Sequence, residues 1–285
     1  MPKLPLAALF LLAALLPAAA APWPPGYVQL DESASPGGAY AVIVPSREAA
    51  PEDPDESVDY LVALKSREVL GQLQGAHYFQ GKNHSGLSIT WSEDGTWAVL
   101  EYDGRFGFST VSVLELAGGR LHQTEIGEHI MKVMPHAAQA SLYLRLAPDR
   151  KLRIRSLSTD DPKQLHPDSA AYSLFQGTYD VRAHRWLVED GRTVKAKDFE
   201  NLGTLYTELN LQGTSFANEA NQAEYLDERL NEAYSALRFL LPPARFAKVK
   251  AEQIAWLKTR DAAPSLSEKC RLLEQRVRAL QELAW

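Results

Sequence analysis

Cysteine is almost absent from this 285-residue chain. Its single cysteine, Cys270, excludes an intrachain disulfide, so a hydrophobic core must hold the fold together. The 7 histidines form no His-x-x-x-His or His-Glu-x-x-His pair, and the chain has no Gly-x-Ser-x-Gly elbow or glycine-rich phosphate loop. The sequence therefore predicts no catalytic, metal-binding or cofactor-binding residue, although a carboxylate pair of the glycosidase type stays open.

The chain has no excess of positive charge, because its formal net charge is -6. From Ser215 onward it holds 11 basic and 10 acidic residues, which leaves 19 basic and 26 acidic residues for the rest. An acidic front part argues against nucleic acid as a partner, because a phosphate backbone would be repelled. This charge favours solubility, and it would also steer a cationic protein toward the chain.

Long apolar runs are missing after residue 21, and the one run before it is short. Lys3, the apolar stretch Leu4–Leu16 and the small residues Ala18–Ala20 together are typical of a signal peptide over residues 1–20. Cleavage after Ala20 would leave 265 of the 285 residues, and the residue directly after the cleavage site is Ala21 rather than a cysteine that could accept a lipid. We expect an exported protein of the periplasm or the extracellular space without membrane insertion; an uncleaved N-terminal anchor is the alternative.

Residues 21–203 predict a β-rich domain. Short segments rich in β-branched and aromatic residues alternate with turn signals, which is typical of an antiparallel sheet. Two stretches resemble each other, and each begins with a Ser-x-x-Gly turn, one at Ser35 and one at Ser92, 57 residues later. The pattern favours an open propeller-like or sandwich-like domain over a closed propeller. The predicted strands are 39–46, 59–64, 87–92, 96–102, 109–116, 141–146 and 151–157.

Residues 204–285 predict an α-helical domain, so the whole chain is expected to be a two-domain α+β protein. Apolar residues from Ala223 to Leu240 recur at steps of three and four, which marks one face of a helix that Pro242 and Pro243 end. Two further helices are predicted at about 244–260 and 267–283. Short connections favour an antiparallel three-helix hairpin or bundle.

The helical part resembles the LprI-like family of exported bacterial proteins, whose namesake is described as a lysozyme inhibitor. The resemblance rests on "ANEANQAEYLDERLNEAY", "AEQIAWLKTRD" and "CRLLEQRVRALQEL", and it covers Ser215 to the end. Family members commonly carry further cysteines, which this chain lacks, so any inherited helix staple is replaced by packing. The matching residues are Leu230, Asn231, Tyr234, Gln253, Ala255, Trp256, Arg260, Asp261 and Cys270.

These matching residues allow a structural and a functional interpretation. Trp256 either packs in the core or is exposed as an anchor for a partner. Arg260 and Asp261 are adjacent in a helix, so we expect separate partners rather than a mutual bond. We expect a structural role for all of these residues.

The expected function is that of an exported, non-enzymatic binding protein of the cell envelope. The resemblance implies a protein partner, and the candidate is a cationic muramidase of the lysozyme type that the chain inhibits. The alternatives are an envelope assembly module without inhibitory activity and an unrecognised hydrolase in the β-rich domain.

Overall fold

The computed structural model describes residues 23–105, 107–163, 165–166, 169–212 and 214–285. The predicted signal peptide lies outside these residues. The strands are β1 (Tyr27–Gln29), β2 (Tyr40–Pro45), β3 (Asp59–Ala63), β4 (Glu68–Leu73), β5 (Gly86–Trp91), β6 (Trp97–Gly104), β7 (Gly107–Ala117), β8 (Arg120–Glu125), β9 (Gln139–Ala147), β10 (Lys151–Thr159), β11 (Tyr172–Asp180) and β12 (Arg185–Val194). The helices are α1 (Gly127–Val133), α2 (Ala196–Tyr206), α3 (Glu219–Leu240), α4 (Pro243–Asp261) and α5 (Leu266–Glu282).

The strands form three consecutive four-stranded antiparallel meanders. They are β1 to β4, β5 to β8 and β9 to β12. The second and third meanders join where Gly107 pairs with Ala140 in the parallel sense. A Cβ at Gly107 would lie 2.3 Å from the main-chain oxygen of Ala140, so this junction depends on a residue without a side chain.

The same turn opens the second strand of every meander. The main-chain N–H of Gly38 donates to Ser35 O at 2.8 Å, and that of Gly95 donates to Ser92 O at 2.9 Å. In the third meander the N–H of Arg150 donates to Ala147 O at 3.1 Å. The two predicted repeats are therefore three, and the third was missed because its turn has neither the serine nor the glycine.

Three apolar cores separate four layers. Val42 and Leu100 belong to the core shared by the first and second meanders, and Val99 and Phe175 to the core shared by the second and third. Leu174 of the third meander lies in the core of the helices. Face-to-face packing of the meanders agrees with the open propeller-like or sandwich-like expectation, and the helices cover the free face of the last meander.

The three predicted helices are present as α3, α4 and α5. The side chain of Asn218 caps α3 by accepting the N–H of Asn221 at 2.9 Å, and Ser265 caps α5 in the same way at 3.2 Å from Glu268 N. Pro243 is the first residue of α4, where its missing N–H costs nothing. The α+β layout is thus confirmed.

Two helices were not predicted. The short α1 lies between β8 and β9, and α2 runs through the boundary proposed between residues 203 and 204. Leu202 and Leu205 of α2 lie in the same core as α3 and α5. The domain boundary itself stays a prediction. Among the described residues, no helix combines the length and apolar character needed to cross a membrane.

Candidate functional site

Several residues of the family resemblance line the contacts among α3, α4 and α5. Leu230 is fully buried in the helical core, and the ring of Tyr234 lies 5.2 Å from that of Phe246, which links α3 to α4. Asn231, the next residue along α3, is exposed. These positions fit a packing role for Leu230 and Tyr234 and leave Asn231 in contact with solvent.

Arg260 ties the end of α4 to α3. Its Nη1 donates to Asp227 Oδ1 at 2.9 Å, and its Nε and Nη2 donate to Asp261 Oδ1 at 2.9 and 2.8 Å. The expectation that Arg260 and Asp261 form no mutual bond is therefore wrong, because the long guanidinium arm folds back along the helix end. The half-buried Trp256 packs against the helical core, with the Arg260 guanidinium 5.8 Å from its ring centre.

Gln253 and Cys270 make polar contacts inside the helical unit. Gln253 is buried, and its Oε1 accepts from Arg276 Nε at 2.8 Å, which joins α4 to α5. The thiol of Cys270 is buried and donates to Glu219 O at 3.5 Å. Burial raises the pKa of this thiol, and the nearby Glu219 carboxylate raises it further. A high pKa and lack of access give an inert thiol.

An open groove borders the Arg260–Asp261 pair at the turn between α4 and α5. Its volume is about 400 Å³, and one wall is Leu266, a leucine with 38% of its surface exposed. Asp261 and Lys269 also line the groove, and the Asp261 side chain is mostly exposed. This groove therefore combines an apolar contact with charges of both signs, which suits a protein partner better than an apolar small molecule.

The β-rich part holds two carboxyl groups that sequence reasoning did not single out. Glu101 and Asp103 lie on one face of β6, and their side chains share a hydrogen bond. Burial raises the pKa of Glu101 to about 8, with the neighbouring Asp103 as the second cause, and burial also raises the pKa of Asp103. Hydrogen-bonded carboxyls lie closer together than the roughly 5 Å or more that glycosidases leave for their substrate. The pair therefore does not have glycosidase geometry.

Another carboxyl, that of Asp59, is fully buried and fixes the β4–β5 connection. Its Oδ2 accepts the N–H of Tyr78 at 2.9 Å, whereas its Oδ1 is buried without a partner among the described residues. Burial raises the pKa of Asp59 to about 7, against the opposing effects of the Tyr78 N–H and of the His77 and Lys82 charges. Within the part of the chain that the structure describes, no group of three or more potential metal ligands occurs.

The hydrogen-bond partners of Arg260 and Gln253 are not among the matching residues. Asp227 bonds Arg260, and Arg276 bonds Gln253. Both partners lie within the quoted stretches, but the family pattern does not specify them. Asp227 precedes Leu230 by three residues, so it lies near the buried face of α3, which is the one signal that could have pointed to it.

Fold and site together define a two-part α+β protein in which a three-helix unit covers one end of a row of β meanders. Residues 212–281, which hold α3, α4 and most of α5, match the family described as Lysozyme inhibitor LprI. The helical unit is thus an LprI-like module, as the sequence resemblance predicted, and the meanders lie outside the match. No curated protein matches the chain.

Proposed function

We propose that the protein is an exported, non-enzymatic binding protein that inhibits a muramidase of the lysozyme type. The observation that carries the proposal is the match of residues 212–281 to the LprI family. Its partner is then another protein, and the periplasm or the extracellular space is where the two would meet.

Charge supports a cationic partner. The residues before Ser215 carry 26 acidic and 19 basic side chains, whereas the residues after it are nearly neutral. An acidic β-rich part speeds the encounter with a cationic protein at low ionic strength without determining the contact itself. The helical unit supplies the contact in this proposal.

The groove between α4 and α5 is the binding surface that we assign to the helical unit. Leu266 gives it an exposed apolar side chain, and Asp261 and Lys269 give it a polar rim. Small apolar centres ringed by polar groups are the usual anatomy of protein–protein contacts. Because Arg260 holds Asp261 in place, the rim is preformed rather than ordered on binding.

Titration of the purified protein against lysozyme activity tests the proposal. We expect inhibition that rises to saturation with the added protein and that is stronger at low than at physiological salt. Absence of inhibition in molar excess at both salt concentrations would contradict the proposed function.

A matched pair of leucine variants tests the assigned surface. Leu266→Ser should weaken inhibition by about tenfold, which corresponds to the loss of about 1–2 kcal/mol from one interface side chain. Leu187→Ser is the control, because Leu187 is also exposed, at 40%, but lies on β12 of the third meander. If both variants inhibit equally well, the groove is not the binding surface. That result would not contradict the inhibitory function itself.

A second candidate function is an assembly module without inhibitory activity. It is favoured by the outward side of α4, where Ile254 is 53% exposed beside the exposed Ala251 and Ala255. In that case a neighbouring envelope protein covers α4. Cross-linking in envelope extract from a cysteine placed at Ile254 would capture that protein, and it should fail with the cysteine placed at Leu187.

A further inference from the structure

Helix α4 presents unpaired positive charge to solvent. It holds 5 basic and 2 acidic residues, although the whole chain has a formal net charge of -6. Arg260 is ion-paired, but in the described part of the chain the other four basic side chains have no carboxylate oxygen within 4.0 Å of their nitrogens. These four are Arg245, Lys248, Lys250 and Lys258, and all are exposed. Positive charge is therefore concentrated on one helix of an otherwise acidic protein.

The neighbouring helix α5 neutralises its exposed cations. Arg271 and Arg278 pair with glutamates three and four positions earlier in the same helix. On α4, Asp261 pairs with Arg260, which leaves Glu252 as the only other carboxylate of that helix. The free positive charge is therefore a property of α4 and not of the helical unit as a whole.

Small apolar residues form the line of α4 that points away from the core. The buried Val249 marks the side of α4 that packs on α3 and α5. On the other side Ala247, Ala251 and Ala255 recur every four residues and are exposed. Ile254 lies beside them and is 53% exposed. The four unpaired cations flank this line over about 20 Å of straight helix, which suits contact with a flat surface.

We propose that α4 lies flat on the surface of an anionic lipid bilayer. Its lysine and arginine side chains contact the phosphate head groups, and clusters of about 4–8 such residues on a helix are typical of this binding. The short alanine side chains let the helix approach closely, and Ile254 enters the boundary between head groups and acyl chains. This is a surface contact and needs no membrane-spanning helix.

The charge distribution favours a lipid surface over a soluble polyanion. The residues before Ser215 carry 26 acidic and 19 basic side chains, so an anionic surface repels them while it attracts α4. A soluble polyphosphate would match the lysines equally well, but it would make no contact that needs the exposed Ile254. The inference does not rest on the proposed inhibition. It assigns to lipid the outward side of α4 that an assembly partner would otherwise cover.

Cosedimentation with lipid vesicles tests the proposal, with the exported protein after removal of its predicted signal peptide, which would bind lipid by itself. We expect binding at low salt to vesicles of equal parts phosphatidylglycerol and phosphatidylcholine, weaker binding at high salt, and none to phosphatidylcholine alone. Lys248→Gln with Lys258→Gln should weaken the binding at least about tenfold, because each lysine near an anionic surface strengthens it about fivefold. Arg271→Gln with Arg278→Gln is the control, since it removes the same charge from α5.

A variant of Ile254 separates lipid from a soluble polyanion. Ile254→Ser should weaken vesicle binding severalfold and leave the binding of soluble polyphosphate unchanged, because only the bilayer buries the apolar side chain. Val188→Ser should change neither, since Val188 is similarly exposed, at 57%, but lies on β12 of the third meander. Circular dichroism checks that each variant is folded.

Four results would overturn the proposal. The first is the absence of binding to the anionic vesicles at low salt. The second is an equal loss of binding in the α4 and α5 double variants. The third is binding of polyphosphate without binding of vesicles, and the fourth is an Ile254→Ser protein that binds the vesicles as tightly as the unaltered protein.

Discussion

Arg260 of α4 donates a hydrogen bond of 2.9 Å to Asp227 of α3, across 33 positions of sequence. The two side chains are only 20% and 40% exposed, so the bond is partly shielded from solvent. It joins the family-matching stretch around Trp256 to the first helix of the unit. Loss of either partner should therefore loosen α4.

A double-mutant cycle measures this bond. Arg260→Gln, Asp227→Asn and the combined variant should give a coupling free energy of about 0.5–1 kcal/mol in urea unfolding. The same cycle on Arg271 and Glu268, an i,i+3 pair within α5, should give about 0.2–0.5 kcal/mol. A smaller coupling for Arg260–Asp227 than for the α5 pair would argue against its role in holding α4.

Two glycines should respond to alanine in opposite ways. A Cβ at Gly191 of β12 would lie 2.2 Å from the main-chain oxygen of Val133, so Gly191→Ala must displace α1 and should destabilise the protein by about 1–3 kcal/mol. At Gly203, inside α2, the nearest atom is 4.0 Å away, and alanine should stabilise by about 0.5–1 kcal/mol. The midpoints of thermal unfolding of the two variants show the direction of each change in stability. A stabilised Gly191→Ala variant would contradict the packing of α1 on β12.

Asp59 should make the free energy of unfolding depend on pH. Its pKa in the folded protein is about 7 against an ordinary value of 3.8, so the folded state holds the proton more tightly. Stability is therefore highest below about pH 4 with respect to this group, and it falls as the pH rises toward 7. Asp59→Asn removes this loss, and we expect it to be more stable than the unaltered protein at pH 7 by an amount on the order of 2–4 kcal/mol.

The control for Asp59 is the low-pH end of the same titration. Near pH 4 the two proteins should differ little, because the aspartic acid is then protonated and resembles asparagine in charge. Glu101, with a pKa of about 8, adds a slope of the same sign to both proteins, so only their difference reports Asp59. A constant difference from pH 4 to pH 8 would contradict the shift.

Cys270 should be unreactive in the folded protein. Its thiol is buried, so a thiol-specific reagent cannot reach it, and its pKa is raised, so little of the reactive thiolate is present. Labelling should follow the fraction of unfolded protein across a urea series. Fast labelling without denaturant would show that the start of α5 opens independently of the rest.

The sequence predicted the helices well and their contacts poorly. Spacing of apolar residues and the Pro242–Pro243 break located α3, α4 and α5 within a few residues, because these signals are local. The unpredicted α2 begins without a capping side chain and contains Gly203, so its local signal is weak. It is a helix because Leu202 and Leu205 enter the core formed by distant helices.

In the site, too, the sequence predicted which residues are buried but not which residues they contact. Leu230, Gln253 and Cys270 have the burial that periodicity suggests. Adjacent residues of a helix point in different directions, and on that ground the sequence predicted no bond between Arg260 and Asp261. The bond forms because the arginine side chain is long enough to reach back to its neighbour. The groove beside Leu266 depends on how α4 and α5 meet, and no local pattern encodes that.

The position of α2 has a consequence for dividing the chain. The family match begins at residue 212, yet α2, which ends at Tyr206, already shares a core with α3 and α5. A fragment that starts at residue 212 would lack α2, so the buried side chains of Leu226 and Leu273 would lose part of the apolar core around them. We expect such a fragment to aggregate or to dimerise. We therefore expect that the LprI-like helical unit does not fold by itself. The smallest fragment that folds should include α2 and the third meander, on which α2 packs.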